Sequence, residues 1–227
     1  MARHLDLEEQ EQLDSLKHFW NRWGNLITWA LIVVFGAFAA WNGWQYWQRH
    51  QAANASALYD EVDRAVVAGD TARVQQALKD VQDKFGGTVY AQQAALLAAK
   101  VLAEQGRADE ARAALQWAAG KSTDAGLQAV AKLRLASLLV ENKAYDDALK
   151  QLDGMPRSFE ALAADRRGDI FNLQGKKDEA RAEYTKAWNA MPADTDYRAL
   201  VEVKLTALGV DPQSLKPAQA AAGTARS

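Results

Sequence analysis

Residues 161–192 read ALAADRRGDIFNLQGKKDEARAEYTKAWNAMP, and the fold depends on how the small and aromatic residues in this stretch are spaced. They fall at Ala164, Gly168, Phe171, Ala180, Tyr184 and Ala187, and Pro192 closes the stretch. Small residues at Gly168 and Ala180 let two antiparallel helices approach closely. The aromatics at Phe171 and Tyr184 fill the space beside them, and Ala187 admits whatever stacks next. Gly175, just before Lys176 and Lys177, separates the first helix from the second. The phrase recurs as RADEARAALQWA around Ala111, AYDDALKQLDGM around Ala148 and KKDEARAEYTKAW around Ala180, with Gly106 standing to Ala111 as Gly175 stands to Ala180. Ala111 and Ala148 are 37 positions apart, and Ala148 and Ala180 are 32 apart. A weaker copy, GDTARVQQALKDV, puts Val74 a further 37 positions upstream, with valine where alanine is expected.

These positions are 4, 8, 11, 20, 24, 27 and 32 of the 34-residue tetratricopeptide pattern, with alanine at Ala164 where the pattern prefers tryptophan. A generic helical bundle also buries alanine and leucine at helical period, but it does not repeat one phrase at near-constant spacing. The expected fold class is therefore all-α: an N-terminal transmembrane helix, then a tetratricopeptide-like α-solenoid of three to four helical pairs, then a C-terminal capping helix. Three pairs are well formed in sequence and the leading one is degenerate. The capping helix is expected from Thr195 to Leu208, N-capped by Asp194 and stopped by Gly209. Residues 212–227 lack a bulky apolar pattern and read as a disordered tail.

The transmembrane expectation comes from the other end of the chain. Between Arg22 and Arg49 no residue is charged, and LITWALIVVFGAFAAW from Leu26 to Trp41 is apolar except for Thr28. A bilayer core of about 30 Å needs about 20 helical residues, and the segment is apolar all round rather than on one face. Trp20 and Trp23 lie at one end and Trp41, Trp44, Tyr46 and Trp47 at the other, where amphipathic rings sit at headgroup depth. Ala37-Phe38-Ala39 imitates a signal-peptidase site, but a signal peptide opens with a basic region, and this chain opens with Asp6, Glu8, Glu9, Glu11 and Asp14. An uncleaved anchor is expected. Arg3, Lys17 and Arg22 precede the span, against Arg49 and Arg64 close after it, which favours a cytoplasmic N-terminus. The division is an acidic cytoplasmic tail at 1–22, a membrane helix at 23–48, an extracytoplasmic repeat domain at 51–211 and the tail at 212–227.

A search for chemistry in the repeat domain finds none. The chain has no cysteine, and its histidines, His4, His18 and His50, all precede residue 51, so histidine triads and histidine or thiolate metal sites are unavailable there. Asp146-Asp147 and Asp178-Glu179 open second helices, where acidic residues favour the helix dipole, and adjacent helical residues point about 100° apart. Gly86-Gly87 lacks the lysine and hydroxyl residue of a phosphate loop and reads as a turn between repeats. A formal net charge of -2 offers no long-range attraction to phosphate, so nucleic acid is not an expected partner. No enzyme activity, cofactor, metal or small-molecule substrate is expected.

With both features in hand, the chain resembles the family of YfgM-like ancillary subunits of the SecYEG translocon. The resemblance runs through EEQEQLDSLKHFW, WNGWQYWQRHQ, LRLASLLVENKAYDDALKQLD, ADRRGDIFNLQGKKDEARAEYTKAW and VEVKLTALGV. It implies a single-pass inner-membrane protein with a periplasmic domain, placed beside the SecYEG translocon and handing emerging polypeptides to periplasmic chaperones, including a membrane-anchored parvulin-type protein. It supplies no catalytic residues. Two alternatives stand beside it: a regulator whose tail, residues 1–21, holds a response regulator, and a scaffold for envelope assembly or cell division.

In tetratricopeptide superhelices the first helix of each pair presents repeat positions 2, 5, 9, 12 and 13 to the concave face. In this register the second repeat offers Gln93, Leu96, Lys100 and Glu104, and the third offers Leu133, Ser137, Val140 and Glu141. The fourth offers Leu162, Asp165, Asp169 and Asn172. Repeats that clamp a terminal carboxylate carry lysine and asparagine at positions 5 and 9, which these do not. The expectation is a groove for apolar and basic segments, with Asp165 and Asp169 as its acidic element.

Overall fold

The computed structural model describes residues 7–215, with side chains from residue 17 onward. Every regular element among them is helical. The chain divides into two compact units, Met1–Ala53 and Asn54–Ser227.

Helix α1 (Leu7–Val67) supplies the whole of the first unit's described structure. It contains the expected span, and among the described residues it is the one helix long and apolar enough to cross a membrane. Its apolar side chains have no protein to cover them: Leu26, Trp29, Ile32, Phe35 and Phe38 are all exposed. Two polar side chains inside the span are satisfied locally, as suits a lipid setting. The Thr28 hydroxyl donates to Gly24 O at 2.7 Å, and the Asn42 amide donates to Phe38 O at 2.9 Å.

In the second unit, residues 54–67 of α1 pair with α2 (Thr71–Phe85), α3 (Val89–Glu104) with α4 (Ala108–Lys121), α5 (Ala125–Glu141) with α6 (Tyr145–Gln151), and α7 (Glu160–Leu173) with α8 (Lys177–Ala190). Helix α9 (Arg198–Ala207) follows. This is the solenoid of four pairs and a cap. Each first helix ends in the same corner, where the amide after a left-handed residue reaches back five positions: Asp70 N to Ala65 O, Arg107 N to Leu102 O, Ala144 N to Leu139 O and Lys176 N to Phe171 O, at 2.8–3.1 Å. The left-handed residues are Gly69, Gly106, Lys143 and Gly175. Three are glycines, which take positive φ without a Cβ penalty; Lys143 adopts φ 59° without that freedom.

The register places small residues where helices touch. Val62, Ala99 and Ala136 at position 8 of the first helices, and Val74, Ala111, Ala148 and Ala180 at position 20 of the second, are all buried. Gly168 fills position 8 of the fourth repeat, and a Cβ built there would lie 2.5 Å from the Tyr184 ring. No side chain fits. Two cores result. The first runs from Val62 to Ile170 and is built of alanine, leucine and valine with Met155 and Ile170; the second gathers Ala164, Ala180, Tyr184, Ala187, Trp188, Met191, Val201 and Leu205.

Three features differ from the sequence reading. Helix α6 has only 7 residues against 14 in α4 and α8, because the chain leaves it at Leu152, turns left-handed at Gly154 and enters a 3-10 turn, Arg157–Phe159. Leu152 and Met155, both buried, fill the space that a longer helix would cover. The capping helix does not start at Thr195, and Asp194 is not its cap. Residues 193–197 form turns, with Thr195 N bonded to Pro192 O, so α9 starts at Arg198 without a side-chain cap. Gly209 does stop it, at φ 79°, with Val210 N reaching Leu205 O in the same corner as the other first helices. Lastly, residues 212–214 form a 3-10 turn with Pro212 buried; the rest of the expected tail, from residue 216, lies outside the described residues, as do the side chains of the acidic leader before residue 17.

Candidate functional site

The residues offered by the register divide into two groups once packed. On α3, Gln93, Lys100 and Glu104 are exposed, while Leu96 is buried in the first core. On α5, Leu133, Ser137 and Val140 are half-buried and Glu141 is exposed; the Ser137 hydroxyl is returned to its own helix at Leu133 O, 3.1 Å away. Lys100, Glu104, Ser137 and Glu141 line one cleft of about 360 Å³ between the two first helices. Ala99, Ala103, Leu115 and Leu138 make its apolar floor. Arg134, which the register did not single out, also lines it, and its guanidinium donates to Leu96 O at 3.1 Å, tying α5 to α3.

On α7 the outcome differs. Leu162 and Asn172 are exposed, but Asp165 is 1% exposed and its carboxylate is fully engaged. Lys204 of α9 donates to both of its oxygens at 2.8 and 2.9 Å, and the Tyr197 hydroxyl donates to Oδ2 at 2.8 Å. Asp169 accepts from the Tyr184 hydroxyl at 2.8 Å and pairs with the same Lys204 at 2.7 Å. The ammonium also lies 5.4 Å from the Tyr184 ring centroid. Burial, then donation to these carboxylates, pushes both phenols far above the usual tyrosine range. Asp165 and Asp169 therefore do not offer free carboxylates to a partner; they dock the chain's own last helix. The expected acidic element of the groove is a packing seam between α7 and α9.

A second polar knot sits where the two cores meet on α7. Arg167, 15% exposed at its side chain, donates to Glu183 at 2.9 Å, to Leu152 O at 3.0 Å and to Glu160. It joins the end of α6, the start of α7 and the middle of α8. Burial raises the Glu183 carboxyl, but hydrogen bonds from Lys186 and Arg167 outweigh it and hold the group below its usual value.

The aromatics flanking the span, Trp20, Trp23, Trp41, Trp44, Tyr46 and Trp47, are all exposed along α1. Trp44 and Trp47 lie 5.3 Å apart, and Tyr46 stacks on His50 at 6.4 Å. No group of three or more His, Cys, Asp or Glu side chains is gathered for a metal among the described residues.

A family model described as a tetratricopeptide repeat-like domain matches residues 17–210, nearly the whole described chain. A protein of Neisseria gonorrhoeae named ancillary SecYEG translocon subunit is 32% identical over 92% of this chain and 100% of its own length. The chain belongs to that family. Proteins of the same name from Escherichia coli and Haemophilus influenzae are 32% and 33% identical, each over 80% of this chain and over 86% and 89% of their own lengths. The family match at residues 17–210 takes in both the apolar helix and the repeats. One accessible feature of the domain is a cleft between helices lined by charged side chains.

Proposed function

We propose that this protein is a membrane-anchored, non-enzymatic interaction module that associates with the SecYEG translocon and passes translocated proteins to periplasmic chaperones, a membrane-anchored parvulin-type protein among them. The observation that carries the proposal is the end-to-end likeness to an ancillary SecYEG translocon subunit, over 100% of that relative's length. The architecture supports it: an apolar helix suited to the bilayer of the inner membrane, with interfacial aromatics at Trp20, Trp23, Trp41, Trp44, Tyr46 and Trp47, carries a domain of a class that binds proteins. The excess of basic residues before the span supports a cytoplasmic N-terminus with the repeats in the periplasm.

Site-specific crosslinkers placed at Gln93, Ala103 or Asn172 in intact cells test this. The expected products are translocon subunits, chaperones and secretory proteins in transit. Adducts only to cytoplasmic proteins would sink it. Protease added to spheroplasts reads the orientation: the repeat domain should be degraded while an epitope at Met1 survives.

A further inference from the structure

The cleft between α3 and α5 has a charge pattern that both helices share, basic then acidic along the chain. First helices of neighbouring repeats run parallel, so equivalent positions face each other: Lys100 with Ser137, and Glu104 with Glu141. Arg134 stands one turn before Ser137, on the Lys100 side. One end of the cleft is therefore basic and the other acidic, over the apolar floor. Lys100 and Glu104 approach each other only to 3.9 Å, with side chains 63% and 62% exposed, a contact open enough to yield to a ligand. Arg134 holds the walls together through Leu96 O.

Distance then selects the occupant. Four residues of helix rise about 6 Å, which separates Lys100 from Glu104, and alternate residues of an extended chain lie about 6.6 Å apart on one face. We propose that this cleft binds an extended peptide segment carrying an acidic and a basic side chain at alternate positions, the acid over Lys100 and Arg134, the base over Glu104 and Glu141. Apolar residues next along the same face cover the floor. The inference rests on the reading of the repeat domain as a protein-interaction module, and it moves the recognition element from Asp165 and Asp169 to the second and third repeats.

The probes are three fluorescein-labelled heptapeptides, Leu-Ser-X-Ser-Z-Ser-Leu, with X and Z as Glu and Lys, both Lys, or both Glu, titrated against the full chain in detergent micelles. The mixed peptide should bind about fivefold tighter than either single-sign peptide at low salt, as expected of two exposed ion pairs, and 0.5 M salt should erase most of that preference. Lys100→Glu with Arg134→Glu should shift preference to the Lys/Lys peptide, and Glu104→Lys with Glu141→Lys to the Glu/Glu peptide. Equal binding of all three to the natural chain, or no shift in either double variant, overturns the proposal. Co-isolation with SecYEG from the same cells separates the two readings. Charge selectivity without translocon association removes the functional proposal alone, and association without selectivity removes the cleft alone.

Discussion

The two cores of the repeat domain solve one problem by different means. In the first, the buried hydrophobic residues are nearly all aliphatic, mostly alanine, with the Gln92 amide as a fully buried polar side chain beside them, and aromatics such as Trp117 and Phe159 lie only at its margin. In the second, Tyr184 and Trp188 are buried, and the Asp165 carboxylate is sealed beside them with Lys204 and Tyr197. An interior repeat is covered from both sides, so close approach of backbones over small residues suffices. Among the described residues, α9 packs on α7 and α8 and is followed only by the 3-10 turn at Pro212–Ser214. Large side chains and a desolvated ion cluster hold it where alanine contacts alone would bury too little surface.

That contrast is open to direct attack. Lys204→Met should be the most damaging change, costing about 3 kcal/mol or more, because it strands the buried Asp165 carboxylate and leaves Asp169 with only Arg166 at 3.7 Å. Hydrogen exchange should show α9 opening first while α3 and α4 keep their protection. Adding Asp165→Asn should restore part of the loss, and a double variant as unstable as the single would show that the seam contributes packing rather than charge. Next in size, Gly168→Ala should lower stability by about 1–3 kcal/mol, since its methyl lands on the Tyr184 ring. Ala111→Leu is the matching test of the first core at a similar cost, read by thermal unfolding; an unchanged midpoint would place Ala111 outside the helix contact.

Acid separates the cores more gently. Glu183 is held below its ordinary carboxyl value of 4.5, so its contribution is present above about pH 4.5 and is lost as pH falls through the lower folded-state value. Glu183→Gln should flatten that part of the stability profile for α7 and α8, measured by circular dichroism between pH 5 and pH 2.5, and an unaltered profile would exclude the Arg167 knot as its source. The smallest effect expected is a gain. Lys143→Gly relieves a left-handed lysine at φ 59° and should stabilise the α5–α6 corner by about 0.5–1 kcal/mol, visible as a raised denaturant midpoint.

Much of this fold was legible in the sequence because the repeat signal is local. The spacing of Ala111, Ala148 and Ala180 reports contacts between adjacent helices, and Gly106, Gly175 and Gly209 mark corners that need positive φ. The uncharged stretch after Arg22 is equally direct. The candidate site was less legible. Positions 5 and 9 were assigned to a groove in the second, third and fourth repeats, yet position 5 is buried at Leu96 and at Asp165, for opposite reasons: one is apolar, the other is paired with a lysine 39 residues away. No local pattern announces a pair across that separation. One clue was present: Gly209 follows Gly175 by 34 positions, one repeat length, which sets α9 beside α7 as another first helix and brings Lys204 to the two aspartates. The short α6 left a weaker trace, in the drop from 37 to 32 positions between key alanines.

Helix α9, read in that register, is the opening half of a fifth repeat whose second half does not appear among the described residues. At the positions where Ala164 and Gly168 welcome a companion helix, α9 presents Arg198 and Glu202. The Arg198 guanidinium is already committed, 3.8 Å above the Trp188 ring and donating to Met191 O at 2.8 Å. A second helix borrowed from another copy would meet a guanidinium and a carboxylate where it needs bare backbone. Those two charges disfavour end-to-end stacking at the positions a companion helix would need, although the exposed Leu200 and Val203 leave α9 partly apolar.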